Sequence, residues 1–390
     1  MGLRAFQYTG ALPRLFCGPD SLAQLGRELD RLKSRRAVLV CGTSLARAGS
    51  PLELVKSALG DRCAGVYPGV QAHSPLPAVV AAAEALRQLD ADAVVAVGGG
   101  SAVVTARAAA ILLAEGMDAR ALCTLQDERG ELRSPKLAAP KLPQIVIPTT
   151  PNTATVKTGS AVFDPATGER LALFDPKTRA QSVFIHPKLL ETAPRELLVS
   201  ASLDTFTLAL EGLCSLAGNP ISDAMLMHAV RLLATHLSSP GADADPTSRS
   251  ELVLAAVLSG HGTDATGAGI ATAIGHAIGS SYGVENGLVK AAVMPHTLRF
   301  NAEAAPEGIA KILASLELQP SAGSAAVVQV NNTLGPLFVA LSPARLRDLG
   351  VPREALTTIA WQVMRDWFLR GNPRPVHTPA DVLPLLEAAW

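Results

Sequence analysis

The chain has 390 residues, of which 48% are apolar and 17% are charged, and its formal net charge at pH 7 is zero. This length favours two globular domains, and the balanced charge excludes an electrostatic footprint for nucleic acid or an anionic membrane. Residues 1–10 lack the apolar core of a secretory signal, and the apolar stretch 91–113 is too interrupted to span a membrane. Five scattered cysteines without a CxxC pair predict neither disulfides nor a zinc cage, so we expect a cytoplasmic protein.

The first half of the chain alternates strand and helix signals. Short apolar runs bounded by turn residues predict four strands, at 36–41, 65–69, 93–97 and 143–148. Apolar residues at helical spacing predict the helices between them, at 50–59, 77–89 and 103–113. Strands that alternate with helices predict a Rossmann-like parallel sheet with crossover helices.

The second half reads as one helix after another. The predicted helices are 196–217, 221–237, 249–260, 267–280 and 288–301. Two Xaa-Pro pairs, His186-Pro187 and Ala193-Pro194, interrupt the pattern between the halves. We therefore predict an α/β domain over 1–190 and an all-helical domain over 191–390.

A glycine-rich turn, Gly98-Gly99-Gly100-Ser101, connects a predicted strand to a predicted helix. Glycines let the backbone approach a pyrophosphate closely, and the helix N-terminus offers unpaired N–H groups and a positive dipole end. Thr149 and Thr150 follow another predicted strand, and ligands of parallel sheets bind beyond the carboxyl ends of the strands. The sequence therefore favours a nucleotide site here over a purely structural turn.

These motifs form part of a longer ordered series. After the glycine turn and Ile147-Pro148-Thr149-Thr150, the series continues through 193–204, 211–212, 219–223, 269–276 and 295–301. In this order the segments resemble the iron-containing (group III) alcohol dehydrogenase family, with maleylacetate reductases as close relatives. The resemblance implies a nucleotide-binding α/β domain and a helical domain in the dehydroquinate synthase-like fold. It further implies an active site between the two domains and a homodimer.

The resemblance also implies a divalent cation held by one Asp and three His of the helical domain. The corresponding positions are Asp204, Leu208, Thr272 and Asn286, so three of the four ligands are missing. We therefore predict that no metal is bound, with a weak magnesium site of oxygen ligands as the alternative. Loss of the cation removes electrostatic stabilisation of the developing alkoxide unless another group replaces it.

The nucleotide site departs from the family pattern as well. Val104 and Arg107 stand where the family carries Asp and Lys, and the segment 151–156 has lost two glycines and a Glu. The residues still expected to bind NADP or NAD are Gly42, Gly98, Gly99, Gly100, Ser101, Thr149, Thr150, Thr153 and Arg170. No carboxylate follows the first strand at 42–44, which favours NADP over NAD.

Four residues are the catalytic candidates. His276 keeps a family position and is our predicted proton donor to a nascent alkoxide, with a buried structural histidine as the alternative. His261 and Asp264 are three residues apart on a helix and form a possible acid/base pair, unless they belong to a solvated helix start that Asp264 caps. Lys290 could supply the missing positive charge or lie on the surface with its stem along apolar groups.

The sequence leaves three functions open. The first is a metal-independent NAD(P)H-dependent reductase that acts on a small activated carbonyl substrate, with a role in biosynthesis. The second is a non-redox enzyme, such as a cyclase, lyase or isomerase, in which His261, Asp264 and His276 do acid/base work. The third is a catalytically silent binding homologue. The expected partner is a small molecule, with neither nucleic acid nor a membrane involved.

Overall fold

A computed structural model describes residues 5–10, 12–126, 132–239, 241 and 243–390. The chain separates into two compact units, Ala11–Pro194 and Arg195–Trp390, and the N-terminal segment up to Gly10 groups with the second. In that segment the hydroxyl of Tyr8 lies 4.0 Å from the sulfur of Met225. The predicted boundary lies after residue 190, whereas the second unit begins at Arg195 and also includes the segment up to Gly10.

The first unit, called the sheet unit below, is built on a six-stranded parallel sheet. The strands of this unit are β1 (Arg14–Cys17), β2 (Ala37–Gly42), β3 (Cys63–Val70), β4 (Ala93–Gly98), β5 (Leu125–Gln126), β6 (Leu132–Arg133), β7 (Gln144–Pro148), β8 (Gly159–Asp164), β9 (Glu169–Phe174) and β10 (Ser182–Ile185). The large sheet has the order β1-β10-β7-β4-β2-β3, and all its pairs are parallel. Two antiparallel pairs, β5-β6 and β8-β9, stand apart from it.

The central strands explain why this unit folds as it does. Every residue of β4 and β7 is buried, which is the pattern of parallel strands covered on both faces. The helices of the unit are α1 (Leu25–Leu32), α2 (Leu52–Leu59), α3 (Leu76–Gln88), α4 (Gly100–Glu115) and α5 (Pro187–Leu190). The predicted α/β class is confirmed. Strands β1 and β10, which the sequence did not predict, are only four residues long and too short to show a periodicity.

The second unit, called the helical unit below, has only helices among its described regular elements. They are α6 (Arg195–Cys214), α7 (Pro220–Ser238), α8 (Pro246–Thr266), α9 (Ile270–Tyr282), α10 (Asn286–Asn301), α11 (Pro306–Ser315), α12 (Gly323–Leu341), α13 (Leu356–Val363) and α14 (Pro379–Ala389). Helix α6 contributes fifteen buried residues and lies at the centre of this unit's core. The predicted all-helical second half is confirmed.

One predicted helix boundary is wrong in a way that affects the site. Helix α8 does not end at Gly260 but continues to Thr266, where Gly267 with φ +68° terminates it. His261 and Asp264 therefore lie near the C-terminal end of a helix, so the alternative of a solvated helix start is excluded. The glycines at 260 and 262 masked the helical pattern, because glycine is a poor helix former outside packed surroundings.

Two segments of the described chain are long and apolar enough to cross a membrane, Arg195–Cys214 and Gly323–Leu349. The apolar window of the first is 83% buried, as expected of a core helix. The absence of a membrane partner stays a prediction.

Candidate active site

The sheet unit brings the glycine turn and the two threonines together. Strands β4 and β7 are neighbours whose ends are in register, with Gly98 opposite Pro148. The backbone N–H of Thr149 donates to the carbonyl oxygen of Gly98 at 3.0 Å. Both segments therefore lie at the carboxyl edge of the sheet, where parallel sheets bind their ligands.

The turn itself has the shape of a phosphate cradle. Gly98 has a φ of +146°, which side-chain-bearing residues rarely adopt, and a Cβ there would lie 2.9 Å from the Cβ of Ala102. A Cβ on Gly99 would lie 3.2 Å from Oγ1 of Thr150. Gly99 is also the N-cap of the sixteen-residue helix α4, and no side chain caps that helix. A helix N-terminus that no side chain caps is a place where backbone N–H groups can bind the diphosphate of a dinucleotide.

The altered segment 151–156 is held in place by new side-chain contacts. Oδ1 of Asn152 accepts from the backbone N–H of Thr155 at 3.2 Å, and its Nδ2 donates to the carbonyl oxygen of Thr150 at 3.0 Å. The fully buried Arg107 donates from Nη1 to the carbonyl oxygen of Gly159 at 2.6 Å. Arg107 therefore stabilises the loop that follows Thr149 and Thr150.

The remaining predicted cofactor residues lie elsewhere in the same unit. Gly42 ends β2, and its carbonyl oxygen accepts from the N–H of Leu45 in a tight turn. Thr153 is buried at the start of a short 3-10 turn next to Asn152. Arg170 is half-buried on β9, opposite Phe163 of β8. Their roles toward a cofactor stay predictions.

In the helical unit, Lys290 forms an ion pair with Asp204. The Nζ of Lys290 lies 2.8 Å from Oδ1 of Asp204 and donates to the backbone carbonyl oxygen of the same residue at 3.2 Å. The lysine is only 2% exposed, whereas 35% of the Asp204 side chain is accessible. This burial shows that the surface alternative for Lys290 was wrong.

The residues at the implied metal positions do not fit a divalent cation. Asp204 already has an ammonium partner, and Oγ1 of Thr272 donates to Oε2 of Glu211 at 2.5 Å. Leu208 has no ligating atom and is buried. In the described part of the chain, three or more His, Cys, Asp or Glu residues nowhere come together as a metal site. A single carboxylate beside a lysine is a poor site for iron or zinc.

Glu211 on α6 has a buried carboxyl group that contacts the first turn of α9. Its Oε1 accepts from the N–H groups of Ala271 at 2.7 Å and Thr272 at 3.2 Å, so it satisfies free donors in the first turn of that helix. Burial raises the pKa of the Glu211 carboxyl, against the lowering effects of the Lys290 ammonium and of these hydrogen bonds.

This raised pKa predicts a pH effect on stability. A carboxyl whose pKa is higher in the folded state stabilises the fold fully below its unfolded pKa, and this contribution is lost as pH rises through the folded pKa. Glu211→Gln keeps an acceptor for α9 but has no charge to bury. We expect the free energy of unfolding of the variant to rise relative to wild type between pH 5 and pH 8, measured by urea denaturation. A difference that stays constant over this range would contradict the assignment.

His276 on α9 is oriented by a carboxylate that the sequence did not identify. Its Nδ1 lies 2.7 Å from Oδ2 of Asp366, and the other carboxylate oxygen accepts from the N–H of Phe368 at 2.9 Å. The aromatic ring of Phe368 packs at 5.6 Å from the imidazole. Because Asp366 engages Nδ1, Nε2 is the ring nitrogen that remains for proton exchange.

The predicted pair of His261 and Asp264 lies in the last turns of α8. The imidazole of His261 is 2% exposed, whereas Asp264 is exposed to solvent. The pairing of His261 with Asp264 stays a prediction.

Asp366 was missed because it lies 90 residues from His276. The only local signal is an acidic residue before Trp367-Phe368, which is too common a pattern to indicate a site. Asn152 was noticed only as a departure from the family pattern, although an Asn after a strand and before two threonines is a typical cap.

Comparison with known proteins gives one consistent family. Residues 13–187 match the family described as iron-containing alcohol dehydrogenase, and residues 198–390 match the C-terminal domain of the same family. Lactaldehyde reductase from Escherichia coli K12 is 26% identical, covering 96% of this chain and 97% of its own. Maleylacetate reductase from Sphingobium indicum is 28% identical, covering 98% and 97%.

Among solved structures, the alcohol dehydrogenase from Oenococcus oeni has the same fold. It aligns with a TM-score of 0.90 at 22% identity, and the alignment covers 98% of this chain and all of the other. The resemblance stated from sequence motifs is therefore confirmed for both halves of the chain.

Proposed function

Since this chain belongs to the iron-containing alcohol dehydrogenase family, we propose that it is a metal-independent, NAD(P)H-dependent reductase of a small activated carbonyl compound. One observation is the main support for this proposal. The sheet unit keeps the glycine turn beside Thr149 and Thr150, whereas in the helical unit a lysine is paired with the one remaining metal-ligand position. The glycine turn and the two threonines of the cofactor side are thus kept, although positions 104, 107 and 151–156 depart from the family pattern, whereas three of the four metal-ligand positions are changed.

The chain's own residues have defined roles in this reaction. The N–H groups at the start of α4 and the hydroxyls of Thr149 and Thr150 bind the diphosphate. Bound NAD(P)H supplies the hydride. Nε2 of His276 gives the proton to the substrate oxygen as it becomes an alkoxide, and Asp366 holds the imidazole in the tautomer and orientation that this transfer needs.

The substrate class follows from the altered metal position. A divalent cation would polarise the carbonyl group, so a chain without a fitting site suits a carbonyl that neighbouring electron-withdrawing groups already activate. Lactaldehyde and maleylacetate, which appear in the names of two relatives, each contain a carbonyl group beside an oxygen substituent or in conjugation with a double bond. NADP is the proposed dinucleotide because no carboxylate follows β2 at 42–44.

A labelling experiment tests the reductase against the non-redox alternative. The protein is incubated with NADPH or NADH deuterated at C4 and a panel that contains lactaldehyde, maleylacetate and other 2-oxygenated aldehydes. We expect one deuterium at the former carbonyl carbon of an alcohol product, or at the reduced carbon of an enone. Turnover of a panel compound without label and without cofactor oxidation would instead support a cyclase, lyase or isomerase.

We also propose that the protein is a cytoplasmic homodimer, as expected from the sequence. Light scattering of the purified chain tests the assembly: a mass twice the 40.4 kDa of one chain is expected, and a monomer would contradict it.

Gly99→Val should weaken dinucleotide binding. Its methyl groups would fill the space beside Thr150 where the diphosphate approaches the backbone. We expect Kd for NADPH to rise at least tenfold, about 1.4 kcal/mol, in a fluorescence titration. Gly159→Ala is the control, because a Cβ at Gly159 meets no atom within 4 Å. Equal affinities of the two variants would remove the glycine turn from the cofactor site.

A further inference from the structure

The position of Lys290 in the helical unit is unusual for a lysine. Its side chain is almost completely buried, and its ammonium is in contact with both the carboxylate and the backbone carbonyl oxygen of Asp204. Burying an ammonium is costly unless it is paired and hydrogen-bonded. The ammonium therefore binds two oxygens of Asp204, one anionic and one neutral. A metal ion at this position would otherwise use such oxygens as part of its coordination.

Two glycines make room for this arrangement. A Cβ on Gly275 of α9 would lie 2.9 Å from Cγ and 3.1 Å from Cδ of Lys290, so the lysine stem passes over a bare backbone. A Cβ on Gly287 of α10 would lie 1.9 Å from the carbonyl oxygen of Ser200 on α6. The start of α10 is therefore pressed against α6, which places Lys290 within reach of Asp204.

A second carboxyl group acts on the ammonium. The buried carboxyl of Glu211 on α6 interacts electrostatically with Lys290. The hydroxyl of Thr272 donates to Glu211, and Thr272 has no imidazole that could bind a metal ion. The described residues at this position thus provide two carboxyl groups and one fixed cation.

We propose that the ammonium of Lys290 replaces the divalent cation of this fold, so that the chain carries its own cation on a side chain. The inference refines the proposed metal-independent reductase, but it concerns cation occupancy at Asp204 and stands or fails separately from cofactor binding and turnover.

Rebuilding the metal site tests this replacement. Leu208→His, Thr272→His and Asn286→His are combined once with Lys290 retained and once with Lys290→Asn, and both proteins are titrated with Zn²⁺ by calorimetry after dialysis against a chelator. We expect one Zn²⁺ per chain to bind at least 100-fold more tightly when Lys290 is removed. Equal Zn²⁺ affinity in the two proteins would show that the ammonium does not hold the cation position.

A second measurement uses the wild-type chain and does not depend on folding of the variants. Lysines are reductively methylated with and without Zn²⁺ or Mg²⁺, and the modified residues are mapped by mass spectrometry. We expect Lys290 to stay unmodified in every condition, while Lys188, whose side chain is 63% exposed, reacts fully. Methylation of Lys290 together with stoichiometric metal binding would overturn the proposal, because the ion would then displace the lysine.

Discussion

His276→Ala should lower kcat for hydride transfer about 1,000-fold, within the range that a positioned general acid contributes. The imidazole is held by the 2.7 Å contact between Nδ1 and Asp366, so removal of the ring removes the proton donor. The loss should appear in kcat, with little change in the Kd for NADPH, because His276 lies outside the sheet unit, which is the proposed binding site of the dinucleotide. The assay follows oxidation of NADPH in the presence of the panel compound that takes up deuterium in the labelling experiment.

Asp366→Asn gives a sharper form of the same test. The amide keeps an oxygen for the N–H of Phe368 but no longer fixes the tautomer of His276, so kcat should fall less than in the alanine variant and its pH profile should change. Asp348→Asn, at a surface position that is half exposed, is the control and should match wild type. Full activity of His276→Ala would remove this histidine from the mechanism.

Lys290→Met should destabilise the helical unit by about 3 kcal/mol, the lower end of the cost of removing one partner of a buried ion pair. We take the lower end because Asp204 remains 35% exposed and keeps contact with water. The Lys290 ammonium lowers the pKa of Glu211, so its loss also removes this lowering effect. Thermal unfolding should show a Tm decrease of roughly 6–12 °C for a unit of this size.

A double-mutant cycle separates the ion pair from the packing of the lysine stem. Asp204→Asn combined with Lys290→Met removes the carboxylate that the single variant leaves without its ammonium, so the double variant should be more stable than Lys290→Met alone. Lys188→Met, at an exposed position, is the control and should leave Tm unchanged. A Lys290→Met protein as stable as wild type would show that the pair contributes nothing to the fold.

The parallel sheet and the helical half were accessible from sequence because their signals are local. Strands β4 and β7 are continuous apolar runs that end in a glycine turn and in two threonines, and both runs are buried throughout. Adjacent parallel strands then place those two segments at one edge, as the register of Gly98 and Pro148 shows.

The helical-unit site was predictable only in part, because its contacts join distant residues. The ion pair of Lys290 and Asp204 spans 86 residues, and no local pattern distinguishes this lysine from one on the surface. The family comparison by position identified which ligands were lost, but the contact that replaces them depends on how α10 packs against α6. For the same reason, local spacing indicated Asp264 as a partner of His261, whereas no local pattern connects Asp366 with His276.

The proposed reductase binds a dinucleotide and needs no metal ion. The most direct measurement is a titration of the chelator-dialysed wild-type protein with NADPH and NADH, followed by cofactor fluorescence and repeated after addition of Zn²⁺ or Fe²⁺. We predict saturable binding of one dinucleotide per chain, tighter for NADPH, with an affinity that the metal ions do not change. No binding at millimolar cofactor, or binding only after a metal ion is added, would contradict the claim.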